Sequence, residues 1–157
     1  MVTKTDSNSR GAIAAKLGVV LASSFTLMLK SQNFHWNVTG PNFGPLHELF
    51  GKQYDELFTA LDELAERIRA LDSIAPGSFA AYAKLSTIKD APDAPPSHKH
   101  MIGELQKDHE AMSALCSALR EFADDAGDTA TGDLMNLSLI HISEPTRLRR
   151  ISYAVFC

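Results

Sequence analysis

Apolar positions recur at helical spacing along most of the chain. Ile13, Leu17, Val20, Leu21, Phe25, Met28 and Leu29 fall every three or four residues, the period of a helix with one buried face. They predict a first helix over Ser9–Asn37, entered from a loose polar tail, MVTKTDSNSR, over about residues 1–10. The run TGPNFGP, Thr39 to Pro45, packs two glycines and two prolines into seven residues and must break the helix. Pro45 suits the first turn of the next one. That second helix, Pro45–Leu71, carries the stripe Leu46, Leu49, Phe50, Tyr54, Leu57, Phe58, Leu61, Leu64, Ile68 and Leu71.

A mixed, proline-rich connection follows over Asp72–Pro96, with room for a short helix over Ser78–Lys84. Ser97, after two prolines, is an N-cap. The third long helix it opens ends near Ala126–Gly127, with Met101, Leu105, Met112, Leu115, Leu119 and Phe122 on its apolar face. Thr129–Leu137 begins a fourth. No stretch alternates with the period of a strand. The class is all-α. Long helices joined by a short break lie antiparallel, and four of them make a bundle. From Ser138 to Cys157 the pattern changes: β-branched residues, Pro145 where a helix interior belongs, and Arg147, Arg149 and Arg150 close together. This segment is similar to translated adapter or frameshifted DNA. The expectation is a fourth helix that stops near Leu137 and a segment 138–157 foreign to the fold.

At 157 residues the chain forms one domain, residues 11–137, able to bury its own core. With 45% hydrophobic and 22% charged residues it is of ordinary globular type. A net charge of −4 excludes a generally basic nucleic-acid binder. The most apolar run, Ala12 to Leu29, is interrupted by Lys16, Ser23, Ser24 and Thr26, so it reads as a bundle helix rather than a membrane span. No small-residue cleavage site follows it. Cys116 and Cys157 sit in no metal or redox motif. A cytoplasmic, reducing location with no membrane partner is expected.

The candidate chemistry is a set of four residues: His35, His47, Asp62 and Glu66. Imidazole with carboxylate suits iron or zinc better than magnesium or calcium. Asp62 and Glu66 are four apart and share a helix face. His47 precedes Asp62 by fifteen residues, roughly 22 Å along a straight helix, too far for one metal. Two copies of the second helix, antiparallel about a two-fold axis near Tyr54–Leu57, would set His47 of one chain beside Asp62 and Glu66 of the other. His35 reaches His47 across the short break. Such a contact is isologous and gives two equivalent sites per dimer. On spacing alone a plainer reading also stands: a helix-end histidine and a solvated carboxylate pair, with Glu66 bridged to Arg67 or Arg69.

Weaker signals lie elsewhere. Asp124, Asp125, Asp128 and Asp133 would draw cations through a pore in an assembly, or simply complement a helix dipole. His98, His100 and Glu104 read as a solvated helix start, and His109 as a packing residue. Lys4, Arg10 and Lys16 oppose only Asp6 in the first sixteen residues, a net +2. They are candidate DNA contacts, weak singly and additive in an assembly. There is no Glu-x-x-His pair for a di-iron centre within one bundle, no glycine-rich phosphate loop and no nucleophilic triad.

The run NFHWNVTGPNFGPLHELFGKQYDEL, Asn33 to Leu57, with LDELAERIRAL, Leu61 to Leu71, resembles the Dps family of miniferritins, the starved-cell DNA-protection proteins. The HWN segment, the second histidine twelve residues on, and D-x-x-A-E-R carry the likeness. It extends over about Ser9–Leu137 and includes DHE at Asp108–Glu110. The resemblance implies a ferritin-like four-helix bundle with a short helix between the second and third, assembled as a hollow dodecamer. It implies Fe(II) oxidation, preferably by hydrogen peroxide, storage of the ferric product, and protection of DNA, with nucleoid association in some members. It places the iron site between subunits: His35 and His47 from one chain, Asp62 and Glu66 from its partner, Glu66 bridging and Trp36 alongside. A packed core aromatic is the plainer role for Trp36.

One departure stands out. Where the family has an acid four residues after the second histidine, this chain has Gly51. Glu48 points about 100° away from that position, and Asp55 approaches only if the helix shifts. A weaker second iron position is therefore expected. The alternative is a structural DNA-compacting protein with an impaired iron site.

Overall fold

The apolar stripes close on one another as the core of a bundle. The computed structural model describes residues 7–142. Its helices are α1 (Ser7–Asn37), α2 (Phe43–Ala70), α3 (Phe79–Leu85), α4 (His98–Asp125) and α5 (Thr129–Ile142). α1 packs along α2 and α4, α5 packs on α4 and α2, and α3 leans on α1. Ile13, Leu17, Leu21, Leu27 and Phe34 of α1 form one buried cluster with Leu46, Phe50, Leu57, Leu64 and Ile68 of α2. Met101, Leu105, Met112 and Leu119 of α4 and Met135 of α5 complete it.

α1 is long and apolar enough to cross a membrane, yet 67% of its most apolar window is buried inside the bundle. Enclosure by three other helices explains why it is apolar on nearly every side. Two of its buried hydroxyls return to their own helix, Thr26 Oγ1 donating to the Ala22 carbonyl at 3.0 Å and Ser31 Oγ to the Leu27 carbonyl at 2.9 Å, while Ser23 Oγ accepts from the Thr87 N–H at 3.0 Å. α3 covers α1 through Tyr82 and Phe79, whose ring centroids lie 4.5 and 6.1 Å from that of Phe25.

The connections follow the expected chemistry, and some boundaries move. Ser97 caps α4 by accepting from the His100 N–H at 3.4 Å. α1 begins at Ser7, inside the stretch expected as tail, and α2 begins at Phe43, ahead of Pro45. α5 does not stop at Leu137 but continues to Ile142. Ser138 is buried there with its Oγ donating to the Leu134 carbonyl at 2.9 Å, and Leu139 extends the apolar face against the core. The rest of the segment expected to be foreign, residues 143–157, lies outside the described residues, as does Lys4.

The α4–α5 turn is tied to α2. Gly127 takes φ 73°, which a side chain would resist. Its N–H and that of Asp128 donate back to the carbonyls of Asp124 and Ala123, closing a Schellman motif. Asp128 then caps α5, accepting from the Thr131 N–H at 3.2 Å. Arg67 Nη2 donates to the same carboxylate at 2.5 Å, and Arg67 Nε donates to Thr131 Oγ1 at 2.9 Å. Burial pushes the Asp128 carboxyl up, but the bonds from Arg67 and Thr131 and the Arg67 charge outweigh it and hold it below the usual aspartate range. A depressed native pKa adds stability above the unfolded value, lost as pH falls through the native one. Asp128→Asn is expected to cost about 2 kcal/mol at neutral pH and to flatten the acid limb of the stability curve. Urea melts at stepwise lower pH measure this; a limb of unchanged slope would show that Asp128 does not contribute it.

Candidate metal centre

The centre begins at the turn between α1 and α2. Gly40, at φ 106°, takes a backbone conformation that favours glycine, and its carbonyl accepts from the Phe43 N–H at 3.1 Å. This folds α2 back along α1, so that residues twelve apart in sequence, His35 and His47, meet. Their rings stack with centroids 3.7 Å apart and planes at 22°. Each imidazole bonds the backbone of the other residue: His35 Nδ1 lies 2.7 Å from the His47 carbonyl, and His47 Nδ1 lies 2.8 Å from the His35 carbonyl. A carbonyl only accepts, so Nδ1 carries the proton in both rings. In the neutral form of each ring Nε2 is then the nitrogen with a free lone pair, the form in which histidine binds a metal, with the other nitrogen held by the backbone.

Asp62 and Glu66 are exposed one turn apart on α2, and neither has a hydrogen-bond or ion-pair partner among the described residues. The plainer pairing does not form: Arg67 is taken by Asp128, and Arg69 donates to the Ser73 carbonyl at 2.6 Å. By helical period, His47, Gly51, Phe58 and Asp62 share a face of α2. That face is turned away from the core stripe of Leu46, Phe50, Leu57, Leu64 and Ile68. The fold therefore assembles the two halves of the four-residue set, but roughly 22 Å of helix separates them. Among the described residues no group of three or more His, Cys, Asp or Glu side chains could hold a metal within one chain.

A ferritin-like domain model matches residues 14–143. The chain is 34% identical to the DNA protection during starvation protein of Brevibacillus brevis, covering 79% of this chain and 83% of the relative. This chain belongs to the Dps family. The crystal structure of a Dps protein from Bacillus brevis superposes with TM-score 0.87 at 30% identity, covering 92% of this chain and 97% of that one. A Dps protein from Vibrio cholerae, described as a member of a broad superfamily of ferritin-like diiron-carboxylate proteins, superposes with TM-score 0.86 at 28% identity over 100% and 98% of the two chains.

Against the Dps pattern the Gly51 departure takes on a physical meaning. A β-carbon at position 51 would stand 3.2 Å from His35 Nδ1 and 3.3 Å from its Cε1. The missing side chain is where the His35 ring rests. Glu48 does not substitute for an acid there, since it pairs with Lys52 at 3.0 Å on the exposed side of α2. Gly51→Asp is thus more than the restoration of a ligand, because the His35 ring must give by a few tenths of an ångström. We expect it to weaken Zn(II) binding about tenfold, the scale on which ligand orientation acts. Calorimetric titration checks this; a second bound equivalent with the first affinity intact would show that the ring yields freely.

Other expected site residues fare differently. Trp36 is 64% exposed, so it is no core aromatic and stands beside His35 at the end of α1. Asp128, expected as a pore acid, is buried within the chain and committed to Arg67 and α5. The Asp124 carboxylate lies against Gly132, where a β-carbon would otherwise stand. Asp125 and Asp133 are exposed. Of the expected DNA contacts, Arg10 is ion-paired with Asp72, and Lys16 lies 4.8 Å from the Phe122 ring centroid, a cation–π contact. His109 is buried, as a packing residue should be. Sequence reasoning did not single out Phe43, whose ring stacks on His47 at 5.1 Å. Its signal was a position one turn before the second histidine.

Proposed function

We propose that this chain is a ferroxidase subunit of an iron-storing dodecamer, acting in the cytoplasm, whose iron sites form between two-fold-related copies. The observation that carries this is the reciprocal His35–His47 lock. It leaves the Nε2 atoms of both rings to bind a metal, and the unpartnered carboxylates, Asp62 and Glu66, are ones that only a second copy can bring to them. Phe58 lies between the two ends of that face and is 66% exposed. An antiparallel partner helix would cover it, removing apolar area from water at about 25 cal/mol per Å².

In such a site the histidines bind Fe(II) as neutral donors, while Asp62 and Glu66 of the opposite chain offset its charge. The carboxylate oxygens, hard anionic donors, favour the ferric product, the harder ion. Two Fe(II) give up one electron each and hydrogen peroxide takes both. Its O–O bond breaks, two protons are taken up and two waters form. Taking both electrons from two Fe(II) at one centre, the second at the weaker position beside Gly51, avoids the hydroxyl radical that one-electron reduction releases. DNA is thereby protected through removal of Fe(II) and peroxide. The engagement of Arg10 and Lys16 supports this route over compaction by direct DNA binding. The test is Fe(II) oxidation by the assembled protein, with peroxide and oxygen supplied separately. Peroxide-dependent oxidation faster than the oxygen reaction is expected. No oxidation above the protein-free rate would sink the proposal.

A further inference from the structure

We propose that Phe43 and Tyr54 are positioning residues for the two histidines, resting on the metal-site reading above. On α2, the residues at successive turns are Phe43, His47, Gly51 and Tyr54: ring, ring, gap, ring. The gap at Gly51 receives His35 from α1. The result is a column of four rings drawn from two helices. Phe43 lies on His47 with centroids 5.1 Å apart and planes at 27°. His47 lies on His35 at 3.7 Å and 22°. Tyr54 and His35 meet in a T-shaped contact, with centroids 5.3 Å apart and planes at 70°.

The column does what the hydrogen bonds do not. An imidazole turns readily about its terminal torsion, whose energy well is broad. A single Nδ1–H bond to a carbonyl selects the tautomer only while it stays in line, and by itself it leaves the ring free to rock out of plane and break that bond. Rings packed on the faces of both imidazoles oppose that motion. They settle orientation before a metal arrives, so less side-chain freedom is lost on binding. Phe43 itself is 48% exposed, so the bundle core does not depend on it. Its contact with His47 is what an aromatic at this position secures.

The experiment uses the full chain in its native assembly. Nitrogen-15 NMR of the metal-free protein, above the ordinary imidazole pKa, reads the tautomer of His35 and His47. A Co(II) titration followed by visible absorption reads affinity. Wild type is expected to show the Nδ1–H form at both residues. Phe43→Ala is expected to mix the tautomers at His47 and weaken Co(II) binding about tenfold, and Phe43→Tyr to restore both. Where Phe43→Ala fails to assemble, Phe43→Leu keeps an apolar side chain without a ring and carries the same expectation. Unchanged tautomers, with Co(II) affinity within about twofold of wild type where the partners of a ligand should matter tenfold or more, would overturn the column. Co(II) binding indifferent to His47→Ala would instead overturn the metal reading, and the tautomers of the metal-free protein would still decide the column.

Discussion

Alanine at His47 is expected to lower peroxide-dependent Fe(II) oxidation by more than about a hundredfold, since even a residue that only orients a ligand is worth tenfold to a hundredfold. The fold should survive, because His47 is half-exposed and lies outside the buried cluster of α2. The sharper form of the experiment mixes chains. A subunit carrying His47→Ala still offers Asp62 and Glu66. A subunit carrying Asp62→Asn and Glu66→Gln still offers both histidines. Each homo-assembly has only broken sites. In a mixed two-fold pair, one site receives both intact halves and the other receives neither. Random co-assembly in equal amounts makes half the pairs mixed, each with one of two sites restored, so about a quarter of the wild-type rate should return. Recovery of none, in assemblies shown by mass spectrometry to be mixed, would place the four residues in separate sites.

The largest effect on stability is expected at the pair Lys30–Asp108, which joins α1 to α4. Lys30 Nζ donates to Asp108 Oδ2 at 2.7 Å, with the lysine side chain 3% and the aspartate 17% exposed. Asp108→Ala leaves a buried ammonium without its counter-charge, a loss of about 3–5 kcal/mol. Lys30→Met with Asp108→Leu removes both charges and keeps the volume apolar, so most of that loss should be recovered. Denaturant unfolding of wild type and the two variants separates the two effects. An Asp108→Ala chain within about 1 kcal/mol of wild type, the range of an exposed pair, would show that water reaches Lys30.

The placement of the long helices was legible in the sequence because helical period and its interruption are local. Apolar residues every three or four positions define a face wherever the chain ends up, and TGPNFGP or Pro95–Pro96–Ser97 interrupts it with its own backbone geometry. The likeness to the Dps family rested on a compact run of residues and was readable for the same reason. The misplaced boundary at α5 shows the limit. Ser138 and Leu139 look out of keeping along the chain, yet the core on the far side holds them in the helix, with the Ser138 hydroxyl satisfied one turn back.

The candidate site divides in the same way. The four residues, and the helix length that keeps His47 from Asp62 within a chain, follow from residue type and a rise of 1.5 Å per residue. What only the tertiary structure decided is which distant groups meet. The α1–α2 turn brings each histidine to the other's carbonyl, and that contact selects the tautomer. Gly51 reads in sequence as a lost acid, and in the fold it is the space His35 occupies. Asp128 reads as one of four acids, and in the fold Arg67 claims it. Spacing along a helix determines which side chains share a face. Hydrogen bonds and ring contacts between helices depend on packing angles and depths to within an ångström, and these arise only when the whole core closes.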